Sequence, residues 1–168
     1  MSPLVITTLN AQGTQELFTS KAYLAMAYWC EVQNWSGYAK LFHQQAGEES
    51  VHAHKFFSFL VDRDVMPAIG SVGAPRTDYT DLTSVAQAAY DLARANTKMI
   101  HAAYATACAE KDYATQVFLH GFIAEQVEEE AWTDKLLDKT RLATCGGALF
   151  NLDRHVVREV LGAGTADT

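Results

Sequence analysis

Apolar residues recur every three or four positions along four long stretches of this chain, and nowhere does a period of two persist between turn residues. The pattern predicts helices and no strands. A first helix covers about residues 5–35 and a second continues to about residue 64, parted near "NWSGY" with Gly37 at the break. "MPAIGSVGAPRTDYT" follows with Pro67, Gly70, Gly73 and Pro75, the one long segment rich in helix breakers. "DLTSVAQAAY" opens a third helix with Asp81 or Thr83 as its N-cap, and "EKDYA" parts it from a fourth helix ending near Thr140. "TCGGALFNLDRHVVREVLGAG" then reads as a Gly-Gly hinge, a short amphipathic helix over about 147–161 and a frayed tail. Short first and third connections around a middle one of about 18 residues describe an all-α four-helix bundle with a long crossover between helices 2 and 3. The whole of 1–168 is read as a single domain, with the bundle over about 5–140 and a short fifth helix appended.

The inward stripes of these helices carry acids. At about 100° per residue, the first helix aligns Leu9, Gly13, Glu16, Ser20, Tyr23, Ala27 and Cys30. The second aligns Phe42, Ala46, Glu49, Ala53, Phe56 and Leu60, with His52 one turn beyond Glu49. The fourth aligns Phe118, Phe122, Glu125, Glu129, Trp132 and Leu136, with Gln126 close by and Glu48 and Glu128 flanking the acidic rows. An ionised carboxylate in an apolar core costs several kcal/mol unless something compensates it. No lysine or arginine shares these stripes, since Arg94 and Lys98 fall on the outer side of the third helix. Protonation or a metal ion remains. Several acids and one histidine converging from three helices favour a metal, and an oxygen-rich set with a single imidazole suits iron or manganese better than structural zinc.

Each of these residues also has a plain reading. Glu128, Glu129 and Glu130 form a charge run of the kind that usually faces water, yet Glu129 is in phase with Phe122 and Trp132 whereas Glu130 belongs to the surface. Glu49 and His52 form E-x-x-H, a weak motif alone, which places both groups on one helix face. Tyr23 reads equally as packing and as a neighbour of the metal site. His43, His54, His101, His120 and His155 have no matching set of acids and read as structural or surface; Trp29, Trp35 and Trp132 read as core.

Composition narrows the partners. A net charge of −7 and a pI near 5.3 argue against a nucleic-acid surface and allow affinity for cations. Cys30, Cys108 and Cys145 are odd in number and form no CxxC pair, which suits a reducing compartment. No basic residue precedes Lys21, unlike a secretory signal, and the run "AYLAMAYWC" is far short of the roughly 20 residues that span a bilayer. A cytoplasmic protein without a membrane segment is expected.

"LNAQGTQELFTSKAYLAMAYW", "HQQAGEESVHAHKF", "FLHGFIAEQVEEEAW" and "ALFNLDRHVVREV" together resemble the bacterial non-haem ferritins, over nearly the whole chain. The resemblance implies a ferritin-like bundle in a 24-subunit hollow shell that oxidises Fe(II) with dioxygen or peroxide and stores ferric mineral. It also implies roles. Glu16, Glu49 and His52 match the ligands of a first ferroxidase iron, with Glu49 bridging; Glu129 matches a ligand of the second, with Gln126 beside the pair. Glu48, Glu125, Glu128 and Glu129 match a third iron site on the inner surface, and Tyr23 matches a tyrosine next to the di-iron centre.

One position departs from that family. The third helix should give the second iron another glutamate, and the matching residue is Ala93 within "YDLARANTKMI". Ala93 is central in the stripe Ala86, Ala89, Ala93, Ile100, Ala107, and Asp91 points roughly 160° away. The second iron is therefore expected to bind weakly, which keeps open a non-catalytic storage or shell subunit that only nucleates mineral. Haem is not expected, because Ser50 and Val51 stand where a haem-binding relative needs methionine, and Gln126 to Glu129 is no second E-x-x-H. A DNA-protecting mini-ferritin usually has a basic tail and lacks a fifth helix, contrary to this chain.

Overall fold

The computed structural model describes residues 1–162; the expected frayed tail beyond them, residues 163–168, lies outside the described residues. Five helices follow one another: α1 (Pro3–Val32), α2 (Ser36–Val61), α3 (Leu82–Ala109), α4 (Tyr113–Leu142) and α5 (Gly146–Leu161). No strand occurs among the described residues.

Local chemistry explains most of the boundaries. Ser2 caps α1 by accepting from the Val5 N–H at 3.3 Å, and Pro3 sits at the first turn, where its missing N–H has no intrahelical acceptor. Asp81, not Thr83, caps α3, in a reciprocal capping box with Ser84. Asp112 caps α4 through the Thr115 N–H at 3.1 Å and also receives both guanidinium arms of Arg63, at 3.2 and 3.3 Å. Asn34 and Lys111 turn the chain at positive φ after α1 and α3.

Two glycine expectations are corrected. Gly37 does not break the chain; it lies in the first turn of α2, and the turn is made by Gln33, Asn34 and Trp35. The capping N-terminal residue, Trp35, offers no side-chain bond. Asp153 of α5 supplies one instead, its Oδ1 accepting from the N–H groups of Gly37 at 2.9 Å and Tyr38 at 3.0 Å. A Cβ on Gly37 would run into the Asp153 carbonyl oxygen, so the glycine permits a close approach between helices. Gly146 and Gly147 likewise belong to the first turn of α5 and are not a hinge.

The crossover, residues 62–81, runs back along α1. The Ala68 N–H donates to Asn10 at 2.8 Å, the Gly70 N–H to Thr14 at 3.1 Å, and the Tyr79 ring meets Trp29 at 5.9 Å. The chain thus returns the length of the bundle before α3 begins, and α2 and α3 run in the same direction. α1 packs on α2 and α3, α3 on α4, and α5 closes the end against α2 and α4. The core is in two parts. One holds Tyr23, Tyr38, Phe42, Leu136 and Val156, and the other Leu9, Phe56, Leu60, Ile100 and Leu119. Each of the aliphatic and phenylalanine side chains contributes about 1.5–3 kcal/mol on burial. Between them lies a waist of buried polar residues: Gln12, Glu16, Gln45, Glu49, Asn96, Thr97, Gln126 and Glu129. Trp132 is core, as expected, while Trp29 and Trp35 are half-buried against it.

Candidate metal centre

The waist places α1, α2, α3 and α4 around one point, and every helix contributes a polar group to it. Glu16 comes from the middle of α1 and is fully buried. Both its oxygens are held by amides: Gln12 Nε2 donates to Oε1 at 2.7 Å and Asn96 Nδ2 to Oε2 at 3.0 Å. Gln12 Nε2 also donates to Asn96 Oδ1 at 2.8 Å, which closes the cradle between α1 and α3. Glu49 is buried on α2, and His52 Nδ1 lies 3.0 Å from its Oε2, across one helical turn. One ligand atom each from Glu16, Glu49 and His52 falls within 4.8 Å of the others, a group that fits a single cation.

Electrostatics favour a cation there. Burial raises the Glu16 carboxyl to about 8, with Glu49 adding to the shift and Gln12 opposing it. Burial raises Glu49 to about 8 as well, helped by the charge of Glu129. Glu129 is raised to about 7 by burial, then by Glu48 and Glu16, while the nearby Trp132 indole and Tyr23 hydroxyl draw it back down. Neither of those groups reaches hydrogen-bond geometry: Glu129 Oε2, the Tyr23 hydroxyl and Trp132 Nε1 are buried and unpartnered. Tyr23 is itself raised well above the usual phenol range, first by burial and then by Glu129. Three buried acids, one of them with an unpartnered oxygen, and no buried lysine or arginine among them are a donor set a metal ion would satisfy.

The expected site residues do not all converge. Glu129 is buried at the waist but stands outside the three-residue group. Gln126 is buried too, yet its Oε1 already accepts from Thr97 Oγ1 at 2.9 Å. Glu48, Glu125 and Glu128 line a cavity of about 1040 Å³ between α2 and α4, shared with His52, Glu129, Lys55 and Lys135. Glu48 is fixed there by the amides of Gln44 and Gln45, both at 3.0 Å. Glu125, placed by phase in the inward stripe, has a side chain 43% exposed, while Glu128 is exposed outright. Glu130 is half-buried and pairs with Arg94 at 2.9 Å.

Helix α3 brings no acid to the waist. Ala93 is buried, its carbonyl accepting from Thr97 Oγ1 at 3.1 Å, and Asp91 is exposed and bonded to Gln87 at 3.0 Å. What α3 does bring is Asn96 and Thr97, which the sequence reading passed over, as it passed over Gln12 and Gln45. The signal was present for two of them. The interval from Ala93 to Ile100 leaves the inward row to be filled by Asn96 or Thr97, and Gln12 lies one turn from Glu16 on the same face. His43 also has an acid after all, Glu31 Oε1 at 2.8 Å, on the exterior and edge-on to Tyr28.

The ferritin-like domain matches residues 6–143, which contain the entire waist. The chain belongs to the ferritin family. It is 32% identical to a bacterial non-heme ferritin of Staphylococcus aureus, over 99% of this chain and 98% of the relative. It is 33% identical to a probable bacterial non-heme ferritin-like protein of Haemophilus influenzae, over 93% and 95% of the two chains. Among solved structures, an open pore ferritin from the archaeon Archaeoglobus fulgidus superposes with a TM-score of 0.90 at 31% identity, covering 93% of this chain and 97% of that one. A form of the same archaeal ferritin engineered to be closed matches equally well. In this ferritin chain the polar waist is the feature that interrupts an otherwise continuous bundle core. No helix among the described residues is long and apolar enough to cross a membrane.

Proposed function

We propose that this ferritin is a cytoplasmic iron-storage subunit that takes up Fe(II) at Glu16, Glu49 and His52, oxidises it, and retains the ferric product inside a 24-subunit shell. The whole chain acts as one domain in this reading. The observation that carries it is the juxtaposition of two fully buried carboxyls and an imidazole with no lysine or arginine to compensate them. The family and its iron-storing character support the same conclusion.

The chemistry assigned to the residues is limited. Glu16 and Glu49 offer oxygen ligands that favour the higher charge of Fe(III) over Fe(II), and so the oxidised product. Two Fe(II) substrates supply two electrons, which with two protons reduce dioxygen to hydrogen peroxide. Glu49 bridges the pair and Glu129 serves the second iron, with Gln126 and Tyr23 beside it. Glu129, Glu48, Glu125 and Glu128 then lead iron toward the acidic groove. The absence of a buried acid on α3 leaves the second position short of one anionic ligand, so paired oxidation is slow compared with a subunit that has it.

That same absence favours one other reading, a storage subunit that nucleates mineral without oxidising iron. Stopped-flow Fe(II) oxidation at a few irons per subunit separates the two, comparing the chain with its Ala93→Glu and His52→Ala variants. Oxidation that is slow here, gains a fast phase with Ala93→Glu and disappears with His52→Ala supports the proposal. Oxidation unchanged by His52→Ala refutes it.

A further inference from the structure

The ligand row does not end at the buried site. Along one face of α2, Glu49, His52 and Lys55 stand at successive intervals of three, with side-chain exposures of 2%, 13% and 45%. The row climbs from the waist to the mouth of the groove between α2 and α4. Glu125, from α4, closes it. One carboxylate oxygen, Oε2, lies 3.3 Å from His52 Nε2, and the other, Oε1, lies 3.6 Å from Lys55 Nζ. Lys55 is also seated by the Phe122 ring, 5.6 Å below its ammonium, and Phe122 in turn packs edge-on against the His52 ring at 5.6 Å.

We propose that Lys55 is a tethered counter-ion that sets the affinity of the groove for divalent cations by holding Glu125 against His52. This rests on the reading of Glu16, Glu49 and His52 as a metal site and adds a residue to it. Of the two lysines that line the groove, Lys55 is the one with an acidic partner at ion-pair distance among the described residues, and that partner is the acid that joins groove to waist. Glu125 Oε2 is buried and makes no hydrogen bond of good geometry, so its position is maintained by charge and not by a directed bond. An ion pair this exposed is worth at most about 1 kcal/mol. A divalent ion with Glu48, Glu128 and Glu129 nearby outcompetes a single ammonium for the same oxygen. Lys55 therefore does not close the groove; it raises the concentration at which a cation enters. When Glu125 turns to that cation, the His52 ring loses the charge on its outer nitrogen. Lys55 is thus a positioning residue that acts through Glu125 and links filling of the groove to the ligand below.

The test uses redox-inert metals on the assembled full chain. Mn(II) binding is followed by electron paramagnetic resonance, and the His52-containing site is read independently from the visible absorption of bound Co(II). Lys55→Gln is expected to tighten the weaker class of Mn(II) sites by about fivefold and to shift the Co(II) bands, since His52 is no longer held from outside. Lys55→Arg restores the wild-type values. Lys135→Gln removes the same charge from the same groove and is expected to change Mn(II) binding by less than twofold. Unchanged Mn(II) binding in Lys55→Gln, or an equal effect from Lys135→Gln, overturns the role of Lys55 while leaving the buried site intact. A Co(II) spectrum insensitive to His52→Ala instead overturns the reading on which the proposal rests.

Discussion

Metal binding at the waist should release protons. At pH 7 a carboxyl titrating near 8 is mostly protonated and one near 7 is half protonated, so Glu16, Glu49 and Glu129 together hold roughly two protons per subunit. A cation bound by these oxygens displaces them. Titration with Zn(II), which cannot be oxidised, in two buffers of different ionisation heat gives the number directly by calorimetry. About two protons per subunit are expected at pH 7 and fewer than one above pH 9, with apparent affinity rising steeply through neutrality and then levelling off. Stability of the metal-free protein runs in the opposite direction. These are acids whose folded-state values lie above the unfolded 4.5, so the folded protein retains protons that the unfolded chain has released. Their stabilising protonation is fully present below about 4.5 and is lost as pH rises toward 8. For one group moved from 4.5 to about 8 the loss is on the order of 5 kcal/mol, and bound metal should restore it. Zn(II) should consequently raise the melting temperature more at pH 8 than at pH 6. Release of less than half a proton at pH 7 would refute this account and mean that the acids are already ionised in the empty site.

Three further outcomes follow from the same geometry. Glu49→Gln should abolish the Co(II) spectrum while raising apo stability at pH 8, because an amide has no charge to bury; thermal melts with and without metal read both effects. Asn96→Ala should leave Glu16 Oε2 without its donor and Gln12 with Glu16 Oε1 alone as acceptor, and weaken metal binding severalfold at a cost of about 1–3 kcal/mol, measured by denaturant unfolding and Co(II) titration; unchanged values would mean the amide cradle does not position Glu16. Asp153→Ala should remove the shared acceptor of the α2 N-terminus and loosen α5, costing about 1–2 kcal/mol, with hydrogen exchange rising first at Gly37 and Tyr38; protection unchanged at those amides would remove Asp153 from its capping role.

The sequence by itself determined the helices, their order and the three residues that cluster. The 3.6-residue period names an inward face without reference to any other part of the chain. Glu16, Glu49 and His52 were therefore legible as acids and imidazole on buried faces. Asp81 and Asp112 open α3 and α4 by bonds to N–H groups three residues on, and such local bonds can be read along the chain. What the tertiary structure alone decided involves residues far apart in sequence. Gly37 looks like a breaker until α5 is placed over it, because the oxygen that crowds it belongs to Asp153. Phase could put Glu125 and Glu129 on one stripe but could not give their depth. Depth depends on where α2 lies beside α4, and there Glu129 is covered while Glu125 opens into the groove beside Lys55. The same limit hid the cradle of Glu16, whose two amides come from residues 84 apart and meet only after the crossover has carried the chain back along α1.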